Sequence, residues 1–89
     1  MSVRLDMMQG ELTNALIDAL QETGNDIEIE ETVGGMVLIR ATTRLSISRQ
    51  DLEKAAGYKV SVAELNALTV AIVGHTKFWT DEGFEISEE

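Results

Sequence analysis

The chain contains no cysteine in 89 residues. A chain this short buries only about 60–65% of its unfolded surface when it folds. Small proteins often offset that shortfall with disulfides or a thiolate metal site, and neither is open here. Only Tyr58, Phe78, Trp79 and Phe84 are aromatic, so stability must come from an aliphatic core. Apolar residues make up 44% and charged residues 26% of the chain. That balance belongs to a globular protein rather than a disordered one. We expect a single acidic interaction domain over residues 1–89.

The N-terminus shows no basic segment followed by an apolar run, as a secretory signal would. The most apolar stretch, Leu65 to Val73, is less than half the length of about 20 residues that a membrane helix needs. A cytoplasmic protein without a membrane partner is expected.

Leu5, Met8, Leu12, Ala15, Leu16, Ala19 and Leu20 recur at spacings of three and four, the pattern of one helix face. With Asp6 and Gln9 spaced as a capping box and Gly24-Asn25 as a stop, the pattern predicts a helix over about residues 7–23. Ile27 to Val33 alternates with period two and reads as a strand. Gly34-Gly35 turns the chain, and Met36 to Thr42 returns. A three-residue loop, Val33-Gly34-Gly35, pairs Ile27 with Ala41, Ile29 with Ile39 and Glu31 with Val37, and sets Glu28 opposite Arg40. Only that register gathers the apolar side chains on one face. Arg44 to Ser48 alternates again, as a third strand or an extended connection.

Ser48 with Asp51 signals a helix start and Gly57 its end, giving a short helix over about residues 49–56. Ser61 with Glu64 is the clearest capping box. The helix it opens, Val62 to Val73, is apolar on nearly every side and is expected to be central, although residues 70–73 also fit a buried strand. Around Asp81-Glu82-Gly83 the tail reads as a terminal hairpin, or as a helix end followed by an extended strand. The expected fold is α+β: an N-terminal helix, a two- or three-stranded antiparallel sheet and two C-terminal helices, with a terminal strand optional.

Charge is unevenly spread. Residues 1–31 set Asp6, Glu11, Asp18, Glu22, Asp26, Glu28, Glu30 and Glu31 against Arg4 alone. Residues 32–63 are net basic through Arg40, Arg44, Arg49, Lys54 and Lys59, and the C-terminal third is acidic again. The net charge of -9 speaks against binding nucleic acid by neutralising phosphates. On a helix, Glu11, Asp18 and Glu22 fall within about 40° of one another. With Asp26, Glu28, Glu30 and Glu31 they make a candidate acidic surface for a partner rich in Lys and Arg. Phe78, Trp79 and Phe84 are candidate interface anchors, weighed against core closure.

Catalytic signals are missing. His75 is the only histidine and has no marked nucleophile to serve. Gly34-Gly35 lacks the lysine and spacing of a phosphate loop, and the Glu28/Glu30/Glu31 cluster lacks EF-hand spacing. No enzyme activity, metal or cofactor is expected. Residues 48–73 have the outline of a helix-turn-helix, but the would-be recognition helix carries no base, and Glu53 stands where a small residue is usual.

No motif ties the chain to a family. The leading expectation is an acidic binding protein that occupies a basic surface, of a protein or protein–nucleic acid complex, on a larger nucleic-acid-handling machine. An inhibitor of a bacterial defence nuclease, of anti-CRISPR or anti-restriction type from a phage-like mobile element, has this size and charge. The alternatives are a self-associating structural or assembly subunit, hence a homo-oligomer, and a helix-turn-helix-like transcriptional regulator.

Overall fold

The structure, a computed structural model, describes residues 3–88. Seven strands and three helices follow one another as β1 (Val3–Met8), α1 (Glu11–Glu22), β2 (Ile27–Glu31), β3 (Met36–Ala41), β4 (Arg44–Ser48), α2 (Arg49–Ala56), α3 (Val62–Leu68), β5 (Thr69–Val73), β6 (His75–Thr80) and β7 (Gly83–Ser87). The strands form a four-stranded sheet in the order β2-β3-β1-β5 and a three-stranded sheet in the order β4-β7-β6, with every pairing antiparallel.

The expected α+β plan, with one N-terminal helix, a small sheet and two C-terminal helices, is therefore corrected to a mostly-sheet fold. The first error lies at the N-terminus. Leu5 and Met8 fit a helical stripe, but Val3, Leu5 and Met7 also alternate, and these three are the residues buried to 0% exposure. As the inner member of its sheet, β1 pairs with β3 on one side and β5 on the other. Two neighbouring ladders satisfy its backbone, a gain that no local count can see. Asp6 sits in β1 and pairs with Arg4 instead of capping a helix. Helix α1 starts after Gly10 without a side-chain cap.

The second error is at the centre. Helix α3 stops at Leu68, and residues 69–73 are strand β5. Thr69, Val70, Ile72 and Val73 are β-branched and lose side-chain freedom in a helix. The Thr69 hydroxyl donates to the Leu65 carbonyl at 2.8 Å, closing the helix end. A glycine corner at Gly74 carries the chain from β5 in one sheet to β6 in the other. The tail is the hairpin alternative, β6 to β7 through Asp81-Glu82.

Other elements form as their local signals predict. The β2–β3 register pairs Ile27 with Ala41, Glu28 with Arg40, Ile29 with Ile39 and Glu31 with Val37. Its loop makes a turn closed by the Gly35 N–H to the Thr32 carbonyl at 3.2 Å, with Gly35 left-handed at φ 81°. Helix α1 ends in a Schellman motif: Asn25 N–H donates to Leu20 O at 3.0 Å and Gly24 N–H to Gln21 O at 3.3 Å. Ser48 caps α2, Gly57 ends it, and Ser61 with Glu64 forms the full capping box of α3.

One apolar cluster joins the two sheets. Val3, Leu5, Met7, Val37, Ile39 and Ala41 from the larger sheet meet Leu12, Leu16, Ala19 and Leu20 of α1, and Leu45, Ile47, Phe84 and Ile86 of the smaller sheet. Each of these side chains larger than alanine contributes roughly 1.5–3 kcal/mol on full burial, set against chain entropy of similar total size. Thr13, buried among them, donates to the Met8 carbonyl at 2.6 Å and so leaves no polar atom wanting. Two side chains tie down the start of α3 and the segment before it: Val62 N–H donates to Asp81 at 2.9 Å, and Val60 N–H to Glu53 at 2.8 Å. Ser61→Ala should cost about 1 kcal/mol and lower the melting temperature by about 4–8 °C. A melt unchanged within error would mean that the Asp81 tie alone holds the start of α3.

Candidate functional site

Alternation along the strands gives the four-stranded sheet two different faces. The inner face is the core. The outer face carries Arg4, Asp6 and Met8 of β1, Met36, Leu38 and Arg40 of β3, Glu28 and Glu30 of β2, and Ala71 and Val73 of β5. Its exposure is uneven: Met8 is 45% and Val73 44% exposed, Arg4, Met36, Leu38 and Arg40 are half-buried, and Asp6 is buried. Arg4 and Arg40 stand directly opposite across the β1–β3 pairing. The Arg4 Nε donates to Asp6 Oδ1 at 2.8 Å and the Arg40 Nη1 to Glu30 Oε1 at 2.6 Å.

Glu11, Asp18, Glu22, Asp26, Glu28, Glu30 and Glu31 are all exposed. They are not one uniform surface. Glu11, Asp18 and Glu22 line the outward side of α1, whereas Glu28, Glu30 and Glu31 lie on β2, an edge of the larger sheet. Two of them have partners: Glu30 binds Arg40, and Glu31 accepts from the Gln9 side chain at 2.9 Å. Among the described residues no three acidic or histidine side chains gather in a way that could hold a metal ion.

The aromatic trio divides. Phe84 has 0% exposure and stacks on Trp79, with ring centroids 4.7 Å apart. It closes the core, and the expectation of an interface anchor is corrected there. Trp79 is half-buried, and its indole N–H donates to Asn66 Oδ1. Phe78 alone stands out from the sheet, 42% exposed. Sequence reasoning missed the Arg4–Arg40 pair, because Arg4 was assigned to no strand. The signal was the alternation of Val3, Leu5 and Met7, which places Arg4 on the opposite face.

Helices α2 and α3 do flank the Gly57 turn, yet α3 is only 7 residues long and its Leu65 is buried. That leaves no recognition helix and corrects the transcriptional-regulator reading. Residues 1–87 match the MmoB/DmpM family.

The chain belongs to the MmoB/DmpM family.

This membership overturns docking on a nucleic-acid-handling machine, the defence-nuclease inhibitor, its phage-like origin and the structural-subunit alternative as readings of function. A search of curated proteins finds no match. Among solved structures, two phenol hydroxylase–regulatory protein complexes contain a chain with the same fold. One is 24% identical with a TM-score of 0.82, covering 98% of this chain and 98% of that one. The other is 24% identical with a TM-score of 0.78, covering 98% and 99%. No helix among the described residues is long and apolar enough to cross a membrane.

Proposed function

We propose that the protein is a non-catalytic regulatory component that docks on the hydroxylase of a phenol hydroxylase-like complex. The observation that carries this is family membership over residues 1–87. The matched chains add to it. They occur in complexes of a hydroxylase with its regulatory protein, and the match covers 98% and 99% of their lengths. The whole chain serves as one docking domain in the cytoplasm, without a cofactor of its own.

The purified hydroxylase component of the same organism, mixed with the protein, should elute with it from a sizing column and change its turnover of a phenolic substrate. The protein alone should turn over nothing. Separate elution at micromolar concentrations, with unchanged hydroxylase turnover, would sink the reading.

The acidic residues take a kinetic role in this account. Glu11, Asp18, Glu22, Asp26, Glu28, Glu30 and Glu31 attract a basic rim on the hydroxylase and speed encounter. Reversing Glu11, Asp18 and Glu22 to Lys should slow association several-fold at low salt, with little change near 0.5 M, where exposed charges are screened. The melt should barely move, because these side chains are exposed. An association rate that ignores both the reversal and the salt would leave the stripe as a solvated helix face.

A further inference from the structure

We propose that the outer face of the β2-β3-β1-β5 sheet is the docking face, and that its occupant is an apolar patch of the hydroxylase bearing a carboxylate that seats on Arg4 and Arg40. This rests on the hydroxylase-regulator reading and names the surface that serves it.

The other surfaces are poorly suited. Strand edges are the usual templates for pairing with another chain, and proteins blunt them with charge, bulges or cover. Here β2 is an edge bearing Glu28, Glu30 and Glu31. Both β5 and β6 have register shifts in their pairing, and Lys77 lies within the irregularity of β6. At the β4 edge the Asn25 side chain takes the place of a neighbouring strand: its amide donates to Ser46 O at 3.1 Å and accepts from Ser46 N–H at 3.2 Å. The outward side of α1 is polar. The smaller sheet turns out Glu85, ion-paired with Lys77, and the isolated Phe78.

The outer face of the larger sheet differs in kind. Methionine and arginine are enriched at interface centres, and lysine and glutamate are depleted. Leu38 and Val73 flank Arg4 and Arg40, Met8 and Met36 lie two pairs further along the same face, and Glu28 and Glu30 stand at the rim on β2. Like charges directly opposite in an antiparallel pair destabilise it, yet Arg4 and Arg40 face each other. Each guanidinium has five N–H donors, and one carboxylate contact uses a minority of them. A carboxylate brought down between the two would take up unused donors in charge-assisted hydrogen bonds and relieve the repulsion. Leu38 and Val73 beside the pair, covered by the apolar patch of the partner, would exclude water from that contact and strengthen it.

The test uses the full-length protein and the purified hydroxylase component, with affinity read by calorimetry. Met8→Lys and Val73→Lys should each weaken binding at least tenfold with melts near wild type. Arg40→Met should weaken it at least tenfold and reduce its dependence on salt. Should a variant fold poorly, hydroxyl-radical footprinting of the unaltered protein supplies the answer: bound hydroxylase should slow Met8 oxidation at least fivefold. Wild-type affinity in folded Met8→Lys and Val73→Lys, or unprotected Met8 in the complex, would overturn the docking face and leave the regulatory reading standing. Failure of the wild type to bind removes both. Dimerisation of the free protein that Val73→Lys abolishes would make a second copy the occupant and overturn the proposal.

Discussion

Gly83→Val is expected to cost roughly 2–6 kcal/mol, as much as half of the stability of a typical protein this size or more. Gly83 opens β7, the strand between β4 and β6. Its φ is 131°, where a residue with a Cβ is strained by about 1–3 kcal/mol. A Cβ there would also press on the Ile47 carbonyl oxygen and come within 2.9 Å of Ser48 Cα. Both are backbone atoms of β4 and cannot swing aside as a side chain can, which adds overpacking of about 1–3 kcal/mol. Gly35→Ala is the control. Its φ of 81° carries strain, but nothing lies within 4 Å of the added carbon, so only the smaller part should appear. Thermal melts followed by circular dichroism should show Gly83→Val lowered by at least about 8 °C and well below Gly35→Ala. Equal melts for the two would mean that β4 yields where its backbone looks fixed.

The features legible in the sequence are those written within a few neighbouring residues. The β2–β3 register followed from requiring Ile27 and Ile29 to share a face with Ile39 and Ala41, and the pairing obeys it. The caps at Ser48 and Ser61 and the stops at Gly24 and Gly57 are local hydrogen-bond chemistry, and each forms. The illegible features depend on partners distant in the chain. Nothing near Val3–Met8 announces that β3 and β5 will flank it, and a chain of Leu and Met fits helix or strand until those ladders exist. Residues 70–73 posed the same ambiguity, and the free side of β1 resolved it in favour of strand.

The candidate site inherits that limit. The exposed carboxylates were visible because charge needs no fold to be counted. The Arg4–Arg40 pair was not, since it exists only once β1 lies against β3. Function was further from reach: the family match runs over residues 1–87, and no short motif read in this sequence announced it.

Phe84→Ala should separate the two roles offered for the terminal aromatics. Removing a fully buried phenylalanine costs about 3–5 kcal/mol, through lost burial and the cavity it leaves. Phe84 lies in β7 opposite both Ile47 and Trp79, so its loss opens the core at the join of three strands. The melt should fall by at least about 12 °C. Trp79 emission should also shift to the red, because its stacking partner at 4.7 Å is gone and water reaches the indole. Phe78 sits one residue before Trp79 and faces the other way, 42% exposed. Phe78→Ala should therefore move stability by no more than about 0.5 kcal/mol and leave the tryptophan spectrum unchanged. If hydroxylase binding falls in Phe78→Ala while the melt holds, the interface extends from the larger sheet onto the smaller. If Phe84→Ala melts like wild type, the β6–β7 hairpin is not seated on the core as described. The same two variants thus report on fold and docking separately, since one side chain is wholly inside and its near neighbour largely outside.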